Sequence, residues 1–218
     1  MNTRRAILGA LAAFGLMTAA PLCAQETAAP AAAPAWPVHA GPEVAADELV
    51  YGDENAEQTL YEYVSMTCPH CREFTLDTLP SVRKELIDTG KLRLVVRQFP
   101  LDEKALAAAR LVRCGGPRKG MGYMKMLFGA QRDWVLASPE ETMNLLARYA
   151  KIGGLSQDQF EACMRDEALG TAIAEGAQKA MTTWKVRSTP TFVRGDGTIH
   201  GGALTLEALT AFLEGGTG

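Results

Sequence analysis

The sequence predicts an α/β domain split by an inserted block of helices, and three observations predict it. Residues Leu60 to Val64 are aromatic, β-branched or apolar apart from Glu62, as a buried strand requires, and they run toward a helical pattern that starts at Cys68-Pro69-His70-Cys71. Residues 101–184 carry helical periodicity and no convincing strand. Residues 191–213 then return to a strand, a turn, a second strand and a helix. The 218 residues suffice for one good-sized domain, and 22 basic against 25 acidic residues leave the charge nearly balanced. No basic stripe with interleaved aromatics is present, which argues against nucleic acid as a partner.

Taken in order, residues 1–24 read as an export signal. Arg4 and Arg5 precede the apolar run Ala6 to Ala20, and Leu22-Cys23-Ala24 is a tolerable cleavage site. The run is short for a bilayer span, although an uncleaved signal would tether the domain. The arginine pair fits either general secretory or twin-arginine export. Residues 25–43 are an Ala/Pro-rich linker whose composition buries no core.

Leu49-Val50-Tyr51 is a short apolar segment closed by the turn cluster Gly52-Asp53-Glu54-Asn55. Thr59 to Ser65 is the central strand. A helix is predicted from Pro69 to about Asp88, with Leu76, Leu79, Val82 and Leu86 on its inner face. Pro80 should kink it, and Thr89-Gly90 stops it. Leu92 to Phe99 is a second strand. Within 101–184, Ser138-Pro139-Glu140-Glu141 and Ser156-Gln157-Asp158-Gln159 are helix starts, each with a capping serine and acid in the first turn. Thr191 to Arg194, a Gly195-Asp196-Gly197 turn and Thr198 to His200 form a hairpin, and Leu204 to Leu213 a last amphipathic helix.

The chemistry gathers at Cys68 and Cys71. Cys68 sits where a helix begins, and Pro69 suits the first turn, where its missing N–H costs nothing. The free N–H groups and dipole of that helix start favour a thiolate at Cys68, while Cys71 lies one turn in and less exposed. This is a redox dithiol with an attacking and a resolving sulfur. A zinc site would need two further ligands, and His39, His70 and His200 supply no second pair. His70, between the cysteines, favours the thiolate and so makes the disulfide more oxidising. Glu62 is either an exposed residue of an edge strand or a buried carboxyl that moves a proton as thiols exchange. Cys114 and Cys163 are either buried free cysteines or a structural bridge, which an oxidising compartment favours. Met121, Met124 and Met126 read as core or groove residues ahead of a Cu(I) site.

The strand, Cys68-Pro69-His70-Cys71 and helix, together with Thr189-Pro190, resemble the DsbA-like thiol:disulfide oxidoreductases of the thioredoxin superfamily. The resemblance covers roughly residues 44–218. It implies a thioredoxin fold with an inserted helical domain, in which 44–100 and 185–218 form the thioredoxin-like part and 101–184 the insertion. It places a buried acid at Glu62, a substrate-binding cis-proline loop at Thr189 and Pro190, and a second bridge at Cys114 and Cys163. It implies no cofactor beyond the redox-active Cys68–Cys71 disulfide, and a periplasmic location. Expected partners are unfolded or partly folded exported proteins with cysteines, and a DsbB-like, quinone-linked membrane protein that reoxidises the pair. The function so implied is introduction of disulfide bonds into exported proteins. Threonine before the proline, where DsbA proper usually has valine, keeps open an envelope isomerase or reductase with a reducing membrane partner. A copper-handling protein on the same fold is the remaining alternative.

Overall fold

The structure, a computed structural model, describes residues 48–216. The predicted export signal and linker, with Cys23 and His39, lie outside the described residues. Five strands form one mixed sheet in the order β1-β3-β2-β4-β5, where β1 is Leu49–Tyr51, β2 Gln58–Val64, β3 Leu92–Gln98, β4 Thr191–Arg194 and β5 Ile199–Gly201. β2 is central, parallel to β3 and antiparallel to β4, with Glu62 opposite Val96 on one side and Phe192 on the other. A parallel β2–β3 pair needs a crossover, and the helical run 69–87, α1, supplies it.

The alternation of β2 sorts its side chains onto two cores. Leu60 and Val64 pack with Leu92, Leu94, Val96 and Phe192 beneath Phe74, Val82 and Leu86 of α1. Tyr61 and Tyr63 pack with Val95 and Val193 on the opposite face. That second face is covered by Ala177 and Ala180 of α7, Glu167–Thr183. The last helix, α8 (Leu206–Leu213), returns Leu209 and Phe212 to the first core.

α1 is not a uniform helix. It runs as α over Pro69–Glu73, π over Phe74–Thr78, α over Leu79–Val82 and π over Arg83–Ile87. Sequence periodicity predicted one α-helix bent at Pro80. Proline lacks the N–H of an i→i−4 bond and its ring crowds the carbonyl four residues back, and the π-turn immediately before Pro80 widens the helix where that strain would fall.

Between β3 and β4 the chain is helical: α2 Glu103–Cys114, α3 Gly116–Gly129, α4 Gln131–Val135, α5 Pro139–Ile152, α6 Gln157–Arg165 and α7. The starts are built by side-chain caps. Asp102 accepts from the Ala105 N–H at 2.8 Å and Ser138 from Glu141 at 3.2 Å, while Ser156 and Gln159 make a reciprocal capping box. Such caps contribute about 1 kcal/mol each. Met124 is fully buried, and Met121 and Met126 pack partly buried against the same core. Cys114, ending α2, is bonded to Cys163 in α6 as a disulfide, with Cα atoms 6.1 Å apart.

Candidate active site

Three elements converge at the C-terminal end of β2. After Val64 the chain turns through Ser65 to Thr67, held by the Cys68 N–H donating to the Ser65 carbonyl at 3.1 Å and the Phe99 N–H donating to the Val64 carbonyl at 2.7 Å. The Thr67 hydroxyl donates to Asp102 at 2.6 Å, tying this turn to the start of α2. Cys68 is the extended N-cap of α1, at φ −76° and ψ 123°, and Pro69 opens the first turn. Cys71 follows one turn in. Both cysteines are free thiols and both are buried, Cys68 keeping 7% exposure and Cys71 none.

The two sulfurs are electrostatically unlike. Cys68 is lowered to about 5, chiefly by a hydrogen bond from the Cys71 thiol; the Thr189 side chain and the N–H groups of Cys71 and His70 add to this against the opposing effect of burial. Burial, together with that same bond to Cys68, pushes the Cys71 thiol far above the ordinary range. One proton is therefore held on the inner sulfur while the outer one is an anion at neutral pH. His70 contributes through its main chain. Its ring is largely exposed, with Nδ1 3.4 Å from Glu73 Oε2.

The Thr189-Pro190 peptide bond is cis. It faces the dithiol, with the Cys68 thiol donating to the Thr189 carbonyl at 3.1 Å. The Pro190 carbonyl is already engaged by the Gly202 N–H at 2.8 Å, and the Thr191 hydroxyl caps the Ser188 carbonyl at 2.7 Å, so the loop is anchored on both sides. The Thr189 hydroxyl is buried and bonds no other protein atom among the described residues, leaving it able to donate to a Cys68 thiolate.

Glu62 lies on the face of β2 turned to α1, buried, with neither carboxyl oxygen hydrogen-bonded among the described residues. The edge-strand reading fails because β2 is flanked on both sides by other strands. Burial, and secondarily the charge at Cys68, raises the carboxyl to about 8.

Sequence reasoning missed Gln131. From the first residue of α4 its buried side-chain amide donates to the carbonyls of Met66 at 3.0 Å and Cys68 at 2.9 Å. Nothing local marks it; a polar residue opening a short helix after Gly129-Ala130 has many ordinary uses. The structure thus joins Glu62, Cys68, Pro69, His70, Cys71, Thr189 and Pro190 at one place, while the Cys114–Cys163 bridge belongs to the α2–α6 contact. Among the described residues no cluster of three or more His, Cys, Asp or Glu side chains is arranged to hold a metal ion.

The sequence pattern of the Thioredoxin family matches residues 45–215. A Rickettsia typhi protein provisionally named a protein-disulfide oxidoreductase is 26% identical over 147 residues, covering 67% of this chain and 54% of that protein. The chain spans about half the length of the curated relatives it matches. Among solved structures, Wolbachia pipientis alpha-DsbA1 superposes with a TM-score of 0.70 at 28% identity, covering 79% of this chain and 92% of that one. Oxidised BdbD from Bacillus subtilis, at 18% identity and a TM-score of 0.68 over 82% of this chain and 97% of that one, shares the fold.

Proposed function

We propose, from the premise that this chain belongs to the thioredoxin family and is DsbA-like within it, that it is a periplasmic thiol:disulfide oxidoreductase which introduces disulfide bonds into exported proteins. The observation that carries the reading is the split between the two thiols, with Cys68 held toward thiolate at the helix start and Cys71 held toward thiol beneath it. Stabilising one thiolate stabilises the reduced form, and a couple whose reduced form is stabilised is a strong oxidant.

The reaction begins from the Cys68–Cys71 disulfide. A substrate segment lies extended along the Thr189-Pro190 loop, and its cysteine thiolate attacks the Cys68 sulfur. The Cys68–Cys71 bond breaks, and Cys71 leaves with the electron pair. Glu62, protonated at neutral pH because its carboxyl is raised to about 8, gives its proton to the departing Cys71 sulfur. A second substrate thiolate then attacks the substrate sulfur of the mixed disulfide. Cys68 leaves as its stable thiolate, the substrate disulfide is formed, and two electrons rest on the dithiol. A quinone-linked membrane partner takes those electrons away. No cofactor other than the cysteine pair takes part.

Thr189 favours a second reading, reduction or isomerisation of envelope disulfides, because threonine before the proline resembles the isomerase branch. The equilibrium reduction potential of Cys68–Cys71 against glutathione separates the two. A value near about −120 mV marks a donor of disulfides, and one near about −200 mV or below overturns that role in favour of the reductive one.

A further inference from the structure

Three local rules of helix and core building are broken around one cleft. It lies between α1 and α3 as two adjoining cavities of about 440 and about 260 Å³, which share Tyr51, Arg83, Asp88 and Lys125 as walls. The first departure is Thr75, in a π-turn of α1 and a wall of the smaller cavity. A helical threonine ordinarily donates its hydroxyl to a carbonyl three or four residues back, as Thr89, Thr182 and Thr210 do. Thr75 is 5% exposed, and its buried hydroxyl has no partner among the described residues. An orphaned buried group of this kind costs stability until a partner fills it.

The second departure is Gly122, inside α3 and a wall of the larger cavity. Glycine weakens a helix interior relative to alanine. Gly120 has a packing reason, since a Cβ there would meet the Val112 carbonyl at 2.6 Å. Gly122 has none: a Cβ would meet nothing within 4 Å, and its φ is not positive. The missing side chain leaves that part of the wall as bare backbone, which a ligand can approach closely.

The third departure is charge. Arg118 stands in the first turn of α3, where the helix dipole favours an acid, and that turn holds none. With Arg83, Lys84 and Lys125 it lines the cleft against a single carboxylate, Asp88, which lies 3.6 Å from Arg83. Glu62 adds no charge at neutral pH, its carboxyl being raised to about 8. Tyr51 supplies a neutral O–H, its phenol being raised to about 12 by burial and then by the Glu62 charge, against the effect of Arg83.

Donors thus line the cleft from three elements: Tyr51 from β1, Thr75, Arg83 and Lys84 from α1, and Arg118 and Lys125 from α3. A carboxylate offers two oxygens in one plane. A phosphate is tetrahedral and offers more, which suits donors on opposing walls, and arginine forks match its edges. We propose that this cleft is a phosphate-binding site, taking a phosphate group carried by a soluble organic phosphate or by an anionic lipid headgroup between Arg83 and Lys84 on one wall and Arg118 and Lys125 on the other. The site goes beyond the exchange reaction, which uses none of these side chains.

Titration calorimetry of the full chain with inorganic phosphate and glycerol phosphate, and co-sedimentation with vesicles of phosphatidylcholine with or without phosphatidylglycerol, test it. Saturation at one phosphate group per chain is expected, with acetate binding far more weakly. Lys125→Glu should weaken binding roughly tenfold, the loss that goes with a charge-assisted bond. Gly122→Leu changes no charge and favours the helix, yet should weaken binding by a similar factor because its side chain fills the cleft. Thr75→Val should weaken it a few-fold through the lost donor. If G122L fails to fold, Gly122→Gln carries the same comparison at this exposed position.

A soluble ligand is the source if glycerol phosphate binds and phosphatidylglycerol adds nothing to vesicle capture. A lipid is the source if phosphatidylglycerol raises capture and both K125E and G122L abolish the rise. No saturable binding to any of these probes overturns the site. Binding that K125E weakens and G122L leaves unchanged also overturns it, because it marks diffuse surface charge. Exchange of the Cys68–Cys71 pair with glutathione should run at the parental rate in K125E and G122L, so the exchange reaction is read separately from the cleft.

Discussion

The Cys68 sulfur lies 3.1 Å from the main-chain oxygen of Thr189, across the cis bond to Pro190, with the Thr189 hydroxyl buried beside it and bonded to nothing else described. A thiol donates to that carbonyl, whereas a thiolate needs donors, and the hydroxyl is the donor within the same residue. The residue is therefore matched to both protonation states of the sulfur.

Thr189→Val keeps the shape and the carbonyl and removes the donor. The Cys68 pKa should rise from its value of about 5, because one cause of its lowering is lost. Each unit of rise destabilises the reduced form by about 1.4 kcal/mol, which lowers the potential of a two-electron couple by about 30 mV. Thiolate absorbance against pH and a glutathione titration read the two quantities separately, and they should move together. A potential that falls with no change in the thiolate titration would show that the hydroxyl acts elsewhere.

Glu62 predicts a pH dependence of stability. Its folded pKa of about 8 stands above the ordinary carboxyl value of 4.5, so between these values the folded state holds a proton that the unfolded chain has lost. Stability must then fall as pH rises through that window, by at most about 1.4 kcal/mol per pH unit. Glu62→Gln removes the titration, so the stability of E62Q relative to the parent should climb from about pH 4.5 to about pH 8 and then level off. Denaturant unfolding of the oxidised forms across that range checks it. A difference independent of pH would mean that the carboxyl titrates normally.

The parts of the site that were legible in the sequence are those with local causes. Cys68 at a helix start, Pro69 in the first turn and the caps at Ser138 and Ser156 each depend on a few neighbouring residues, and the structure places them as helix starts. Glu62 was ambiguous because its burial depends on sheet order, and nothing in residues 58–64 says that β3 and β4 flank that strand. The π-turns of α1 escaped because a shift from 3.6 residues per turn over five residues barely alters the apolar spacing. Gln131 acts 63 residues from Cys68, a separation at which only the packed insertion brings the amide to the turn.

Gln131→Leu tests that tie between insertion and dithiol. It leaves the Met66 carbonyl without its buried donor while the Cys68 carbonyl keeps the Arg72 N–H, and an orphaned buried group costs about 1–3 kcal/mol. The variant should lose roughly 2–3 kcal/mol of stability, within that range for a single net loss. Amide exchange should quicken at Cys68 and Arg72, whose N–H groups close the turn and the first helical bond. Unchanged protection there would show that the other bonds of the turn, Thr67 to Asp102 among them, hold it without the amide.

The Cys114–Cys163 bridge should govern stability without governing the dithiol. It joins residues 49 apart, and closing a loop of that length stabilises the folded state by up to about 4 kcal/mol in the chain-entropy model. Its helices meet the active site only at their far ends, because the insertion residues bonded to the Cys68 turn include Leu101, through Ser65, Asp102, through Thr67, and Gln131. Asp102 caps α2 at the end opposite Cys114, and Gln131, within the closed loop, opens α4. The double variant Cys114→Ala with Cys163→Ala should therefore unfold at lower denaturant, with the Cys68–Cys71 potential and thiolate titration unchanged. Equal stability with and without the bridge would contradict its structural role. A shifted potential at unchanged stability would make the second pair part of the redox machinery, with α2 as the element that links them.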